Sequence, residues 1–293
     1  MSKSQSKPKF SIILPVYSEL SPVQSGASGM THFRGKTVQR AIKSVMNQQC
    51  KDWELIIIED GCVDDVTPRV LDAFADMDPR ITVYHKANEN RAIAYNYGMD
   101  RAQGEWICWL DSDDEYMTTY LRTLDKAIKE FPEYDVFNFG CLYHYADFNS
   151  TVRGPFTPAI EAEGHEWFRS GGIVNGCFVF RRDTWASNPE KYRIPDEVNP
   201  FQFAAKSKFP MKFDAEKDEF FWKNCPDPET CFQDGEYRQG VSLGNPWGQD
   251  FLQFYNLTRD HHSKSLDSIL YIVYPRTSED DYTDFGEVFE TGV

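Results

Sequence analysis

Three carboxylates stand within four positions at Asp111-Ser112-Asp113-Asp114, directly after the apolar run Trp106 to Leu110 (WICWL). Like charges crowded at the exit of a buried strand raise one another's pKa values. A hard divalent cation relieves that repulsion and can bridge a diphosphate at the same time. The plainer alternative is an acidic helix start, where Asp114 or Glu115 favours the first turn. A second carboxylate pair, Glu59-Asp60, ends the run WELIII and precedes Gly61. An acid placed there can accept hydrogen bonds from a ribose or a base edge, although Asp-Gly is equally a strong turn dipeptide.

Both clusters need strands to carry them. Phe10 to Val16, Trp53 to Ile58, Ile81 to His85, Trp106 to Leu110 and Tyr134 to Phe139 read as strands. Between them, Val38, Ala41, Ile42, Val45 and Met46 follow the spacing of a buried helical stripe. Val66, Val70, Leu71 and Phe74 repeat it, as do Leu121, Leu124, Ile128 and Phe131. Strand–helix alternation of this kind implies crossover connections, hence an α/β fold with a mostly parallel sheet flanked by helices. Ligands of such sheets bind beyond the carboxyl ends of the strands, where these carboxylates fall.

The rhythm divides the chain into an α/β half over 1–140 and a second half over 141–278. The second half carries a long aromatic- and Pro-rich insertion at about 187–246. Six acids in 279–293 read as a solvated acidic tail.

Composition narrows the partners. Of 293 residues, 46 are Asp or Glu and 31 Lys or Arg, a net charge of −15 that argues against general nucleic-acid binding. The same surplus argues against an anionic membrane surface. An aromatic share of 15% excludes a disordered acidic chain. Seven cysteines form no C-x-x-C pair, which favours a reduced, cytoplasmic protein; only Cys225 and Cys231 are spaced for a local clip. Gly35-Lys36-Thr37 imitates a phosphate loop, but Met30 stands where that loop needs its first Gly. No G-x-G-x-x-G follows a strand, so a dinucleotide dehydrogenase has no fingerprint.

In order along the chain, these motifs resemble the family 2 inverting glycosyltransferases of the GT-A (Rossmann-like) fold. The matching segments are Pro15-Val16-Tyr17-Ser18, Asn47-Gln48, Glu59-Asp60-Gly61-Cys62-Val63-Asp64 and Asn90 to Asn96. They continue with Leu110-Asp111-Ser112-Asp113-Asp114, Asn175 to Arg182, Trp247-Gly248-Gln249-Asp250 and Ile269 to Arg276. The resemblance is dense over 10–140 and sparser over 170–182 and 246–278. It implies an enzyme that moves a sugar from a nucleotide-diphosphate donor, most simply a UDP-sugar, to a hydroxyl acceptor of unknown class. It further implies that Pro15, Val16 and Tyr17 line the nucleotide pocket with Ser112, that Asp60 meets the uracil or ribose, and that Asp111 lies against the ribose. Asp113 would hold Mn²⁺ or Mg²⁺ on the diphosphate, and Asp250 would be the general base. Asp250 also fits a helix cap before FLQFYNL.

Departures from the pattern are Ser18 for Asn, Glu59 for Asp, Gln249 for Glu and Arg91 for Gly. Arg91 either brings a positive charge toward the expected diphosphate or changes a loop. The Gly/Ser-rich stretch between Tyr17 and Val38 is long for this connection. It reads either as a surface loop or as a lid whose Arg34 or Lys36 reaches phosphates. Two other classes stay open: a nucleotidyltransferase that makes sugar nucleotides, and a non-catalytic glycan- or nucleotide-binding relative.

Overall fold

Every residue of β1 (Phe10–Val16) is buried. A strand buried on both faces needs cover above and below, and the apolar run FSIILPV allows it. In the computed structural model, the residues described are 7–18, 34–89, 91–144, 150–155, 175–188, 211–214, 219–222, 237–242, 253–254, 257–258 and 260–274. β1 pairs in parallel with β2 (Trp53–Asp60) on one side and β4 (Trp106–Trp109) on the other. β3 (Ile81–Lys86) extends the parallel set beyond β2.

The remaining strands are β5 (Glu115–Tyr116), β6 (Val136–His144), β7 (Ser150–Arg153), β8 (Phe178–Arg181) and β12 (Ser263–Val273). They complete a nine-stranded sheet ordered β3-β2-β1-β4-β8-β6-β12-β5, with β7 beside β6. β8 runs antiparallel to both β4 and β6, while β12 runs parallel to β6. The sheet is therefore parallel on the β3-β2-β1-β4 side and mixed beyond it. Strands β9 (Met211–Asp214), β10 (Glu219–Trp222) and β11 (Tyr237–Ser242) form a separate antiparallel sheet of three.

Alternating strand residues divide the core into two layers. Ile12, Leu14, Leu55, Ile57 and Cys108 pack against α1 (Thr37–Met46), α2 (Val66–Met77) and α4 (Tyr120–Glu130). Ile13, Ile56, Ile58, Ile107 and Trp109 pack on the other face against α3 (Arg91–Met99), Trp185 of α5 (Arg182–Ser187), Phe254 and Leu257. Gly98 on α3 permits this approach, since a Cβ there would stand 2.4 Å from Ile13 Cγ2. The four parallel strands thus end on one edge. Val16 is in register with Glu59, and Leu110 N–H donates to Ile13 O at 3.0 Å.

Among the described residues no helix is long and apolar enough to cross a membrane. The acidic tail, and Cys225 with Cys231, lie outside the described residues.

Candidate active site

The β2–β3 ladder sets two acid–base pairs side by side, with Glu59 opposite His85 and Asp60 opposite Lys86. Successive strand residues face opposite sides of a sheet, so the pairs lie on different faces. On the α3 face, Lys86 Nζ donates to Asp60 Oδ1 at 2.5 Å, and the Glu89 N–H adds a second bond at 3.2 Å. Burial depresses the Lys86 pKa, but Asp60 and Glu89 outweigh it and hold the ammonium above its ordinary value. Gly61 closes this strand exit with φ 72°, where a Cβ would meet Asn88 N at 2.6 Å. Only glycine fits both demands comfortably.

On the α2 face, the His85 ring lies between Glu59 Oε2 at 3.1 Å and Asp72 Oδ1 at 3.0 Å. The other Glu59 oxygen accepts the Cys62 N–H. Burial lowers the His85 pKa, and the hydrogen bonds to the two carboxylates outweigh it and raise it. With a folded value above the unfolded one of about 6.5, this pair's stabilisation is complete below that pH and fades as pH rises through the folded value. Melting temperatures should therefore show His85→Gln less stable than wild type near about pH 6, with the gap closing toward about pH 8. A gap that stays constant with pH would contradict a charged His85.

At the β4 exit the three neighbouring acids diverge. Asp111 turns to α3, where the Tyr95 hydroxyl donates to Oδ1 at 2.8 Å and Arg91 Nη2 stands at 3.3 Å. Its backbone N–H donates to the Tyr271 hydroxyl at 3.1 Å. Asp113 turns toward the start of α1, with Arg34 Nη2 3.3 Å from Oδ2. Asp114 points inward and accepts the Tyr274 N–H at 3.1 Å. Burial first, then the charges of Asp113 and Asp111, push its pKa well above the usual carboxylate range.

Two further groups brace this turn. Arg40 Nη2 donates to the Asp113 carbonyl at 2.6 Å, and its guanidinium lies 3.5 Å from the centre of the Tyr274 ring. The Tyr274 hydroxyl in turn donates to Glu115 Oε2 at 2.8 Å. Gly176 lies against Tyr271, so closely that an added Cβ would overlap its ring. A side chain there would displace the hydroxyl that holds Asp111.

Pro15, Val16 and Ser112 are buried at the same edge, and Tyr17 follows half-buried. Ser18 Oγ accepts the Arg34 N–H at 2.9 Å, while Ser18 O accepts the Val63 N–H at 2.8 Å. The serine that replaces the expected Asn thereby ties the start of α1 to the β2 exit. Lys36 is exposed at the N-cap of α1. Asp60, Asp111, Asp113, Arg34 and Arg91 thus come to one sheet edge. Asp250 lies outside the described residues.

Sequence reasoning missed Lys86, Tyr95, Arg40, Tyr271 and Tyr274. A signal existed for Tyr95, one helical turn from Arg91. It existed for Lys86 too, one residue past the β3 run. None existed for the two tyrosines of β12 and its exit, whose bonds to Asp111 and Asp114 each span 160 positions.

Among the described residues, no three His, Cys, Asp or Glu side chains converge on a metal position. Of the cluster, Asp111 and Asp113 are partly exposed and Asp114 alone is buried. That donor set suits a hard ion that takes one or two carboxylates and completes its shell with phosphate oxygens and water.

The model of the family described as glycosyl transferase family 2 matches residues 11–187, more than half of the chain. The chain belongs to glycosyl transferase family 2. An uncharacterized glycosyltransferase of Rickettsia conorii is 39% identical over 122 residues, 42% of this chain and 17% of that protein. The GalNAc(5)-diNAcBac-PP-undecaprenol β-1,3-glucosyltransferase of Campylobacter jejuni is 32% identical over 125 residues, 42% of this chain and 35% of that enzyme. The chain matches only a minor part of either relative's length. Among solved structures, S. aureus TarS 1–349 superposes with a TM-score of 0.54 at 14% identity, covering 91% of this chain and 60% of that one. The same TarS fragment in complex with UDP superposes with a TM-score of 0.52 at 13% identity. At such identity the likeness concerns the fold, a mixed α/β sheet of the GT-A kind. The family 2 matched segment takes in β1 to β4, and with them Asp60, Asp111 and Asp113.

Proposed function

We propose that this family 2 chain is a metal-dependent inverting glycosyltransferase that moves a sugar from a nucleotide-diphosphate donor, UDP-linked, to a hydroxyl acceptor. The observation that carries this reading is the meeting of Asp60, Asp111 and Asp113 on one sheet edge with Lys86, Arg91 and Arg34. Acids there suit ribose and base N–H or O–H donors, while guanidinium groups suit diphosphate oxygens. Asp60 and Lys86 together offer an acceptor beside a donor, the pattern that an imide edge of uracil matches. Asp111, held by Tyr95 and Tyr271, is positioned for a ribose hydroxyl. Asp113 would carry Mn²⁺ or Mg²⁺, which when bound supplies Lewis-acid stabilisation of the departing nucleoside diphosphate.

Arg91 and Arg34 would bind the diphosphate, and Lys36 would approach it from the start of α1. Asp250, which follows Trp247-Gly248-Gln249, would take the acceptor hydroxyl's proton on the opposite side of the anomeric carbon. Attack in line with the leaving group then inverts that carbon in one displacement. The division into a donor half over 1–140 and an acceptor half over 141–278 belongs to the same proposal.

A thermal-shift panel of UDP, GDP, CMP and dTDP, with and without Mn²⁺, tests the donor assignment. UDP with Mn²⁺ should give the largest stabilisation. If none of the nucleotides stabilises the protein in the presence of metal, the proposal fails. Asp250→Asn should keep that stabilisation but lose transfer by about a hundredfold or more, the usual scale of general-base catalysis. Normal turnover by this variant would remove Asp250 from the mechanism.

A further inference from the structure

Glu59 lies on the opposite face of the sheet from Asp60, with its side chain 8% exposed and both oxygens engaged. One faces His85 Nδ1 at 3.1 Å, and the other accepts the Cys62 N–H. Asp72 of α2 braces the His85 ring from behind, 3.0 Å from Nε2. The turn that Glu59 holds fastens three parts of the site edge together. Cys62 Sγ donates to the Val16 carbonyl at 3.8 Å; burial, then the Glu59 charge, push its pKa up, so it stays a thiol. The Val63 N–H donates to Ser18 O at 2.8 Å. Asp64 Oδ1 accepts the Val66 and Thr67 N–H groups at 3.0 and 2.6 Å, which fixes the turn to the start of α2. The ends of β1 and β2 are thus joined where Val16, Tyr17 and Asp60 stand. Gly61 alone separates Asp60 from Cys62, so a displaced turn moves Asp60 with it.

We propose that Glu59, braced by His85, is a positioning residue that fixes Asp60 for the nucleotide base from the opposite face of the sheet. The inference rests on the donor reading above and adds to it a support that touches no ligand. A backbone N–H deprived of its acceptor is costly to leave unpaired, so the turn shifts toward another partner when the carboxylate is removed. A recognition group works only when the groups behind it hold it to within about half an ångström. Glu59 supplies that hold through the Cys62 N–H, and His85 keeps Glu59 itself from turning away.

Isothermal titration of UDP at saturating Mn²⁺ tests this without turnover. It is run on wild type, Glu59→Ala, Asp60→Asn and the double variant, well below their melting temperatures. Glu59→Ala should weaken UDP binding by about tenfold, the worth of one hydrogen bond to a charged group. In the Asp60→Asn background the same change should cost less than about twofold, because a support has no effect once the contact it holds is gone. A merely structural Glu59 would lower the melting temperature and leave the UDP affinity of the folded protein unchanged. Circular dichroism establishes that each variant is folded. Should Glu59→Ala not fold, His85→Ala at its half-exposed position decides. It should weaken UDP binding by about threefold, with the same disappearance of the effect beside Asp60→Asn. Unchanged UDP affinity in the folded variant, or a fully additive loss in the double variant, overturns this inference and leaves the donor reading standing. UDP that does not bind wild type, or that binds Asp60→Asn as well as wild type, overturns the donor role of Asp60 and this inference with it.

Discussion

Replacing Asp113 with Asn is expected to cut sugar transfer by about a thousandfold or more. An ion that stabilises the leaving diphosphate contributes several kcal/mol, and each 1.4 kcal/mol or so is a factor of ten in rate. The substitution keeps the shape and one acceptor oxygen for Arg34, which stands 3.3 Å away. The free protein should nonetheless lose some stability, because the nearly buried guanidinium keeps an acceptor but its pairing with a carboxylate charge is lost. Two readings separate this from mere misfolding. Turnover at saturating donor reports the chemical loss, and the Mn²⁺-dependent part of UDP stabilisation should vanish while the unliganded variant still melts in a single cooperative transition. A variant with near-normal turnover would move the metal elsewhere.

The largest effect on stability is expected at Trp109, two residues before Asp111. Its side chain is fully buried, with ring centres of Tyr95, Phe178 and Phe180 at 4.7, 5.1 and 6.0 Å. It joins α3, β4 and β8 in the second core layer. Trp109→Ala removes that junction and leaves a cavity, a loss of about 3–5 kcal/mol. Set against a typical total of about 5–15 kcal/mol, this is enough to leave the chain partly unfolded at physiological temperature. Trp109→Phe should cost far less, because among the described residues no acceptor meets the buried indole N–H. Its removal relieves an unsatisfied donor and partly offsets the lost volume. Urea midpoints of the two variants provide the measurement. Equal losses would mean that ring volume does not set the stability here.

The two effects are connected through the backbone. Tyr116 Oη donates to the Trp109 carbonyl at 2.7 Å, and Tyr271 packs edge-on against Tyr116 while its hydroxyl accepts the Asp111 N–H. The carboxylate turn is thus seated on an aromatic floor drawn from β4, β5 and β12. A floor of rigid rings holds a turn more tightly than flexible aliphatic chains do, because few rotamers are lost on ordering.

The amino-acid sequence by itself determined the parallel half of the fold. Phe10–Val16, Trp53–Asp60 and Trp106–Trp109 are buried on both faces, so their runs are nearly all apolar and stand out. The stripes of α1, α2 and α4 were legible for the matching reason, since one face alone of each is buried. The carboxylates followed, because a strand exit is a local feature and Asp60 and Asp111 are adjacent in sequence to the strands that place them. β12 was less legible: Ile269 to Tyr274 reads as a strand, but the strand begins at Ser263, in the polar stretch SKSLDS. Half-exposed positions beside β6 tolerate polar residues, so pairing rather than pattern extends it. The antiparallel entry of β8 between β4 and β6 likewise has no local signature.

What only the tertiary structure decided is the pairing of charges. Arg34 with Asp113, Arg40 with Tyr274 and Tyr271 with Asp111 join residues far apart in the chain, and no periodicity encodes which base meets which acid. A side chain's type depends on its immediate surroundings, and these are set by how separate elements pack. Strand and helix patterns record burial, a property of each position alone. Ion pairs and hydroxyl contacts record a relation between two positions, and that relation exists only once the sheet has closed.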